Sequence, residues 1–112
     1  MKTPYRILHV MSRLPVGGVE QQLLNVIRNY DRSVIEPTVV SLADKGPIGR
    51  EIENEGVEVI ALEMLDHRFR WSIASRLRRI INERQIDIVR THQFHANLYG
   101  RLAAKGVRCV VS

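Results

Sequence analysis

At 112 residues, with 45% hydrophobic and 26% charged content, the chain fits one domain, residues 1–112, burying roughly two-thirds of its unfolded surface. No apolar run approaches the roughly 20 residues of a membrane-spanning helix, and Met1 to Arg6 leads into a strand without a leader-like apolar core. The net charge is +5, and the one cysteine, Cys109, has no partner for an internal disulfide, so a reducing, cytoplasmic setting is expected.

The charge is unevenly placed. Seven arginines stand between His67 and Arg90 against Glu83 and Asp87, and the rest of the chain is balanced. A basic patch of this kind suits an anionic surface. Nucleic acid is not expected, because no recognised binding module accompanies the charge.

Ile7 to Met11 reads as a buried strand, followed by a polar, proline-containing loop and the pair Gly17-Gly18. An amphipathic helix begins near Val19, with Val19, Leu23, Ile27 and Tyr30 at helical spacing and Leu24 beside them. Glu20 falls in its first turn, where a carboxylate complements the helix dipole. A second strand covers about Glu36 to Leu42. Pro47 to Glu55 forms a short helix, with proline early and Gly56 after its end. Val57 to Leu62 is the third strand. In the third helix Ile73, Leu77, Ile80 and Ile81 make the apolar face, and Ser72, Arg76, Arg79 and Glu83 the wet one. A fourth strand, Asp87 to Thr91, precedes a helix carried by Leu98, Leu102 and Ala103 and ended by Gly106. Val107 to Ser112 is the fifth strand.

Strands alternating with helices through short loops imply an α/β, doubly wound parallel sheet of about five strands. The expected order is 3-2-1-4-5, in a three-layer α/β/α arrangement. Such sheets bind ligands beyond the carboxyl ends of the strands, where the strand order reverses. The two loops there are Ser12 to Gly18 and His92 to Asn97.

Both loops carry candidate chemistry. Paired glycines let backbone amides approach an anion closely, and the following helix adds unpaired N–H groups; by itself the pair also reads as a tight turn. His92 and His95 can hydrogen-bond a sugar hydroxyl or a phosphate, and imidazole titrates near neutrality. The alternative is structural: His95 caps the helix and His92 packs against it. No metal is expected, because no clustered Cys, Asp or Glu completes a ligand set with the two histidines.

Other activities fit poorly. No Gly-x-Gly-x-x-Gly follows the first strand, and Ser41 and Leu42 stand where a dinucleotide enzyme has its ribose-binding acid. A phosphate-binding lysine loop is also missing. Glu55 and Glu63 have the eight-residue spacing known in sugar-nucleotide enzymes, but they bracket a strand after a helix and read as coincidence. His67-Arg68-Phe69-Arg70-Trp71 interleaves basic and aromatic residues before the arginine-rich helix. Arg68, Phe69, Arg70 and Trp71 are therefore candidates for contact with a membrane surface; a merely solvated face is the plainer reading.

Several stretches together resemble one family. They are the strand Ile7–Met11, the loop ending Pro15-Val16-Gly17-Gly18-Val19-Glu20, Val39-Val40-Ser41-Leu42, the helix start Gly46-Pro47, and Glu55-Gly56-Val57-Glu58-Val59. Asp87-Ile88-Val89-Arg90-Thr91-His92, the run His95 to Ala104, and Val110-Val111-Ser112 continue the series. Nearly the whole chain resembles, in order, the amino-terminal Rossmann-like domain of group 4 type glycosyltransferases of the GT-B fold.

The resemblance implies transfer of a hexosyl-type sugar from a nucleotide diphosphate sugar to an acceptor hydroxyl, with retention of configuration and no metal or other cofactor. The acceptor would belong to a polysaccharide, a glycolipid or a small glycoside. It implies that Gly17 and Gly18 form the donor-phosphate loop. Arg13, His92, His95 and Asn97 would lie on the acceptor side, with His92 the candidate nearest to the chemistry. The resemblance also implies a carboxyl-terminal donor domain with its own Glu-x7-Glu motif, which is absent from these residues, so the 112 residues alone are expected to be inactive. A second class of reading is a non-catalytic Rossmann-like binding or assembly module that pairs with a separate donor domain.

Overall fold

The computed structural model describes residues 4–12, 18–64, 71–92 and 109–111. The elements are β1 (Tyr5–Met11), α1 (Gly18–Asn29), β2 (Ile35–Ser41), α2 (Gly46–Asn54), β3 (Glu58–Ala61), α3 (Trp71–Glu83), β4 (Ile88–His92) and β5 (Cys109–Val111). They form a five-stranded sheet in the order β3-β2-β1-β4-β5, and every neighbouring pair is parallel. The helix expected around Leu98, Leu102 and Ala103 lies outside the described residues.

β1 is mostly apolar, with His9 inside the run, because both of its faces are covered. Leu8 and Val10 enter a core with Val40, Leu42, Leu62 and the α3 residues Ile73, Leu77 and Ile81. Met11 enters a second core with Val39, Val59, the α1 residues Leu23, Leu24 and Ile27, and the α2 residues Ile48 and Ile52. α1 and α2 thus cover one face of the sheet and α3 the other. Right-handed crossovers require this: the steps β1 to β2 and β2 to β3 run one way, and the step from β3 to β4 runs back. The reversal opens a crevice at the C-terminal ends of β1 and β4. Fully burying side chains such as Leu24, Leu42 and Leu77 contributes about 1.5–3 kcal/mol each.

Local chemistry explains two details. Pro37 lies inside β2, yet the ladder with β3 begins only at Thr38↔Glu58. At Pro37 the strand is paired on one side alone, so the lost N–H leaves no gap in a ladder. α2 is closed by Gly56, whose φ of +83° is left-handed and favours a residue without Cβ. At the edge remote from the crevice, Arg84 holds Glu58 through two hydrogen bonds of 2.7 and 2.6 Å. There too, the Arg6 amide donates to the Asp87 carboxylate at 2.9 Å.

Candidate functional site

β1 and β4 run side by side with His9 opposite Arg90 and Met11 opposite His92. Paired residues of a parallel ladder share a face, and so do alternate residues of one strand. His9, Met11, Arg90 and His92 therefore stand on the face covered by α1. α1 ends at Asn29, one residue short of the periodic Tyr30, which packs against the core on that face. Its phenol reaches the sheet there.

The result is a chain of three polar side chains. His9 is fully buried. Its Nε2 lies 2.9 Å from the Tyr30 hydroxyl, and its Nδ1 lies 3.2 Å from Nε2 of His92. The His9 ring stacks between the other two, with centroids 6.0 Å from Tyr30 and 5.4 Å from His92. Both nitrogens of a buried imidazole are thus satisfied, as burial demands.

Burial pushes His9 down to about 3, with His92 and Arg90 adding to the shift. His92 is half-buried, and burial, then Arg90, lowers it as well. Burial raises Tyr30, with Arg90 pulling the other way. At neutral pH all three groups are uncharged, beside the exposed cation Arg90.

The candidates named from the sequence are placed unequally. His92 stands at the C-terminal end of β4, paired with the last residue of β1. Gly18 opens α1, the element that follows that end of β1. A Cβ built on Gly18 meets nothing within 4 Å, so the described residues impose no steric need for glycine there. Gly17, Arg13, His95 and Asn97 lie outside the described residues, as do Arg68, Phe69 and Arg70. Trp71 is the first residue of α3 and 69% exposed.

Glu20 is buried at 6% exposure in the first turn of α1. Glu55 follows the end of α2 and pairs with Arg28 at 3.4 Å, while Glu63 lies beyond β3, which separates the two. Ser41 is fully buried at the end of β2. Among the described residues, no group of three His, Cys, Asp or Glu side chains is arranged to hold a metal ion, and no helix is long and apolar enough to cross a membrane.

No motif in the sequence marks His9, Tyr30 or Arg90 as parts of a site. A usable signal was present: a titratable ring inside the apolar run Ile7–Met11 has to find buried partners. Which partners it finds depends on the β1–β4 register, which no local pattern encodes.

Against known proteins, the model of Glycosyltransferase Family 4 matches residues 16–112. A glycosyltransferase from Rickettsia africae ESF-5 superposes with a TM-score of 0.74 at 20% identity, covering 98% of this chain and 29% of that one. A mutant O-GlcNAc transferase from Thermobaculum terrenum superposes with a TM-score of 0.68 at 18% identity, over 95% of this chain and 20% of that one. At these identities the likeness is one of fold. The chain spans less than a third of the length of either protein. No curated protein sequence matches it significantly. With the family model matching nearly its whole length and the sheet order and crevice of the same architecture, the chain belongs to Glycosyltransferase Family 4.

Proposed function

We propose that this chain is the acceptor-side domain of a retaining glycosyltransferase, which moves a hexosyl-type sugar from a nucleotide diphosphate sugar to an acceptor hydroxyl. The acceptor belongs to a polysaccharide, a glycolipid or a small glycoside. One observation carries the reading: α1 starts at Gly18 after the C-terminal end of β1, and β4 ends at His92 beside that same end, where the strand order reverses. The amides at the start of α1, with the positive end of the helix dipole, suit the donor's phosphates. His92, neutral and half-exposed, suits a sugar oxygen. Arg13, His95 and Asn97 are assigned to the acceptor side with it, and Gly17 to the phosphate loop, on the family resemblance.

A second domain completes the donor site in this reading. Its support is the small share of each similar structure that this chain covers. No metal takes part; backbone amides and cationic side chains offset the charge of the departing diphosphate. The exposed Trp71 at the start of α3, with the exposed Arg78 and Arg79 about two turns further along, favours peripheral contact with the inner face of a membrane.

Steady-state kinetics of the intact protein, with a panel of nucleotide sugars and separate donor and acceptor titrations, test the assignment. Gly18→Leu is expected to raise the donor KM, and His92→Ala the acceptor KM. Unchanged kinetics in both variants would place the cleft elsewhere. No transfer with any donor would favour a binding module over an enzyme.

A further inference from the structure

The contact between Tyr30, His9 and His92 has a consequence for the chemistry His92 can perform. A neutral imidazole carries one N–H and one lone pair. His9 uses one nitrogen on Tyr30 and the other on His92. Only two proton arrangements satisfy both contacts. In the first, the Tyr30 O–H donates to Nε2 of His9, and Nδ1–H of His9 donates to Nε2 of His92. The proton of His92 is then on Nδ1. In the second every bond is reversed, His92 carries its proton on Nε2, and its Nδ1 offers a lone pair.

The phenol decides between them. It is a stronger proton donor than a neutral imidazole N–H, and an imidazole nitrogen is a better acceptor than a phenol oxygen. The O–H···N bond to His9 is therefore preferred over N–H···O, and the order propagates through His9, whose two ring nitrogens are both engaged in these contacts. Burial of each ring, with the nearby charge of Arg90 adding to it, keeps both imidazoles neutral, so no extra proton disturbs the count.

We infer that Tyr30 and His9 are positioning residues that lock His92 in its Nδ1–H tautomer, which makes it a hydrogen-bond donor and leaves it no lone pair with which to act as a base. The lock is a property of the domain itself. That the donor meets an oxygen of the sugar acceptor rests on the functional reading above. A second-layer side chain orienting a working imidazole through its remote nitrogen is an established physical device; here the remote nitrogen is Nε2.

Two-bond ¹H–¹⁵N correlation spectra of the intact protein, labelled at histidine and held at pH 7.5, test the lock. His9→Gln and His92→Gln variants assign the resonances. The wild type is expected to show His92 with a protonated Nδ1 and a pyridine-like Nε2, the reverse of the tautomer that free histidine prefers in water. Tyr30→Phe is expected to lose that pure signature and to raise the acceptor KM about fivefold, the size of one hydrogen bond, with the donor KM unchanged. A wild-type His92 protonated at Nε2, or a Tyr30→Phe protein with the Nδ1–H signature intact, would overturn the inference. A locked Nδ1–H tautomer in a protein whose acceptor KM ignores His92→Gln would leave the lock standing and remove His92 from the acceptor site.

Discussion

Acidification from pH 7.5 to 5.0 should destabilise this domain through His9, and the size of the loss follows from its burial. The folded-state value is about 3 against an unfolded value of 6.5. Because the folded value is depressed, the unfolded chain takes up the proton first. Stability is therefore full above about pH 6.5 and falls as the pH drops from there toward 3. At pH 5.0 the unfolded state is almost wholly protonated at this position and the folded state hardly at all. The cost is about 2 kcal/mol, rising to about 3 kcal/mol at pH 4. His92, lowered for the same main reason, adds to the loss in the same direction. Against a total of about 5–15 kcal/mol for a typical domain, this is a large fraction.

Urea unfolding of the protein at the two pH values measures the effect. A loss of about 2 kcal/mol moves the midpoint by about 1 M at an ordinary slope of about 2 kcal/mol/M. The informative quantity is the difference between the wild type and His9→Phe, which keeps a ring in the site and cannot titrate. His9→Phe is expected to begin less stable at pH 7.5, because His92 loses a partner, and then to lose about 2 kcal/mol less on acidification. If both proteins lost the same stability, His9 would not be a buried neutral imidazole, and the reasoning that ties Tyr30 to His92 through it would fail.

Other outcomes follow from the packing and the surface. Leu77→Ala, at the centre of the core under α3, should cost about 2–5 kcal/mol in chemical denaturation; a loss below 1 kcal/mol would mean that α3 is not seated as described. Trp71→Ala combined with Arg78→Glu and Arg79→Glu should abolish co-sedimentation of the intact protein with anionic vesicles and leave neutral vesicles unaffected, and equal binding by the variant and the wild type would remove α3 from any membrane surface. The 112 residues expressed alone should show no sugar transfer with any donor, because the donor contacts of the proposed enzyme lie in another domain. Turnover by that chain would contradict the two-domain reading.

Much of the architecture could be read without coordinates. The alternation of apolar runs with helical periods implied a parallel sheet, and no strand boundary differs from the expected one by more than two residues. These signals are local: a run buried on both faces is mostly apolar, and a helix on a sheet repeats its apolar positions near every 3.6 residues. Gly56 after α2 announces its own backbone conformation in the same way. The order 3-2-1-4-5 is a common one for doubly wound sheets, and right-handed crossovers then fix which face each helix covers.

The polar core of the site was different. His9 looked like one more member of a buried strand, and Tyr30 like one more position on the apolar face of α1. Their roles appear only when β4 is laid against β1 in the register that sets His92 opposite Met11 and Arg90 opposite His9. That register is set by contacts between residues more than eighty positions apart. α1 must also end at Asn29, so that Tyr30 turns onto the sheet. The sequence by itself determined which segments are strands and helices, because hydrophobic periodicity acts within a few residues. Only the tertiary structure decided which three side chains share one line of protons, because burial and hydrogen-bond partners are properties of the packed whole.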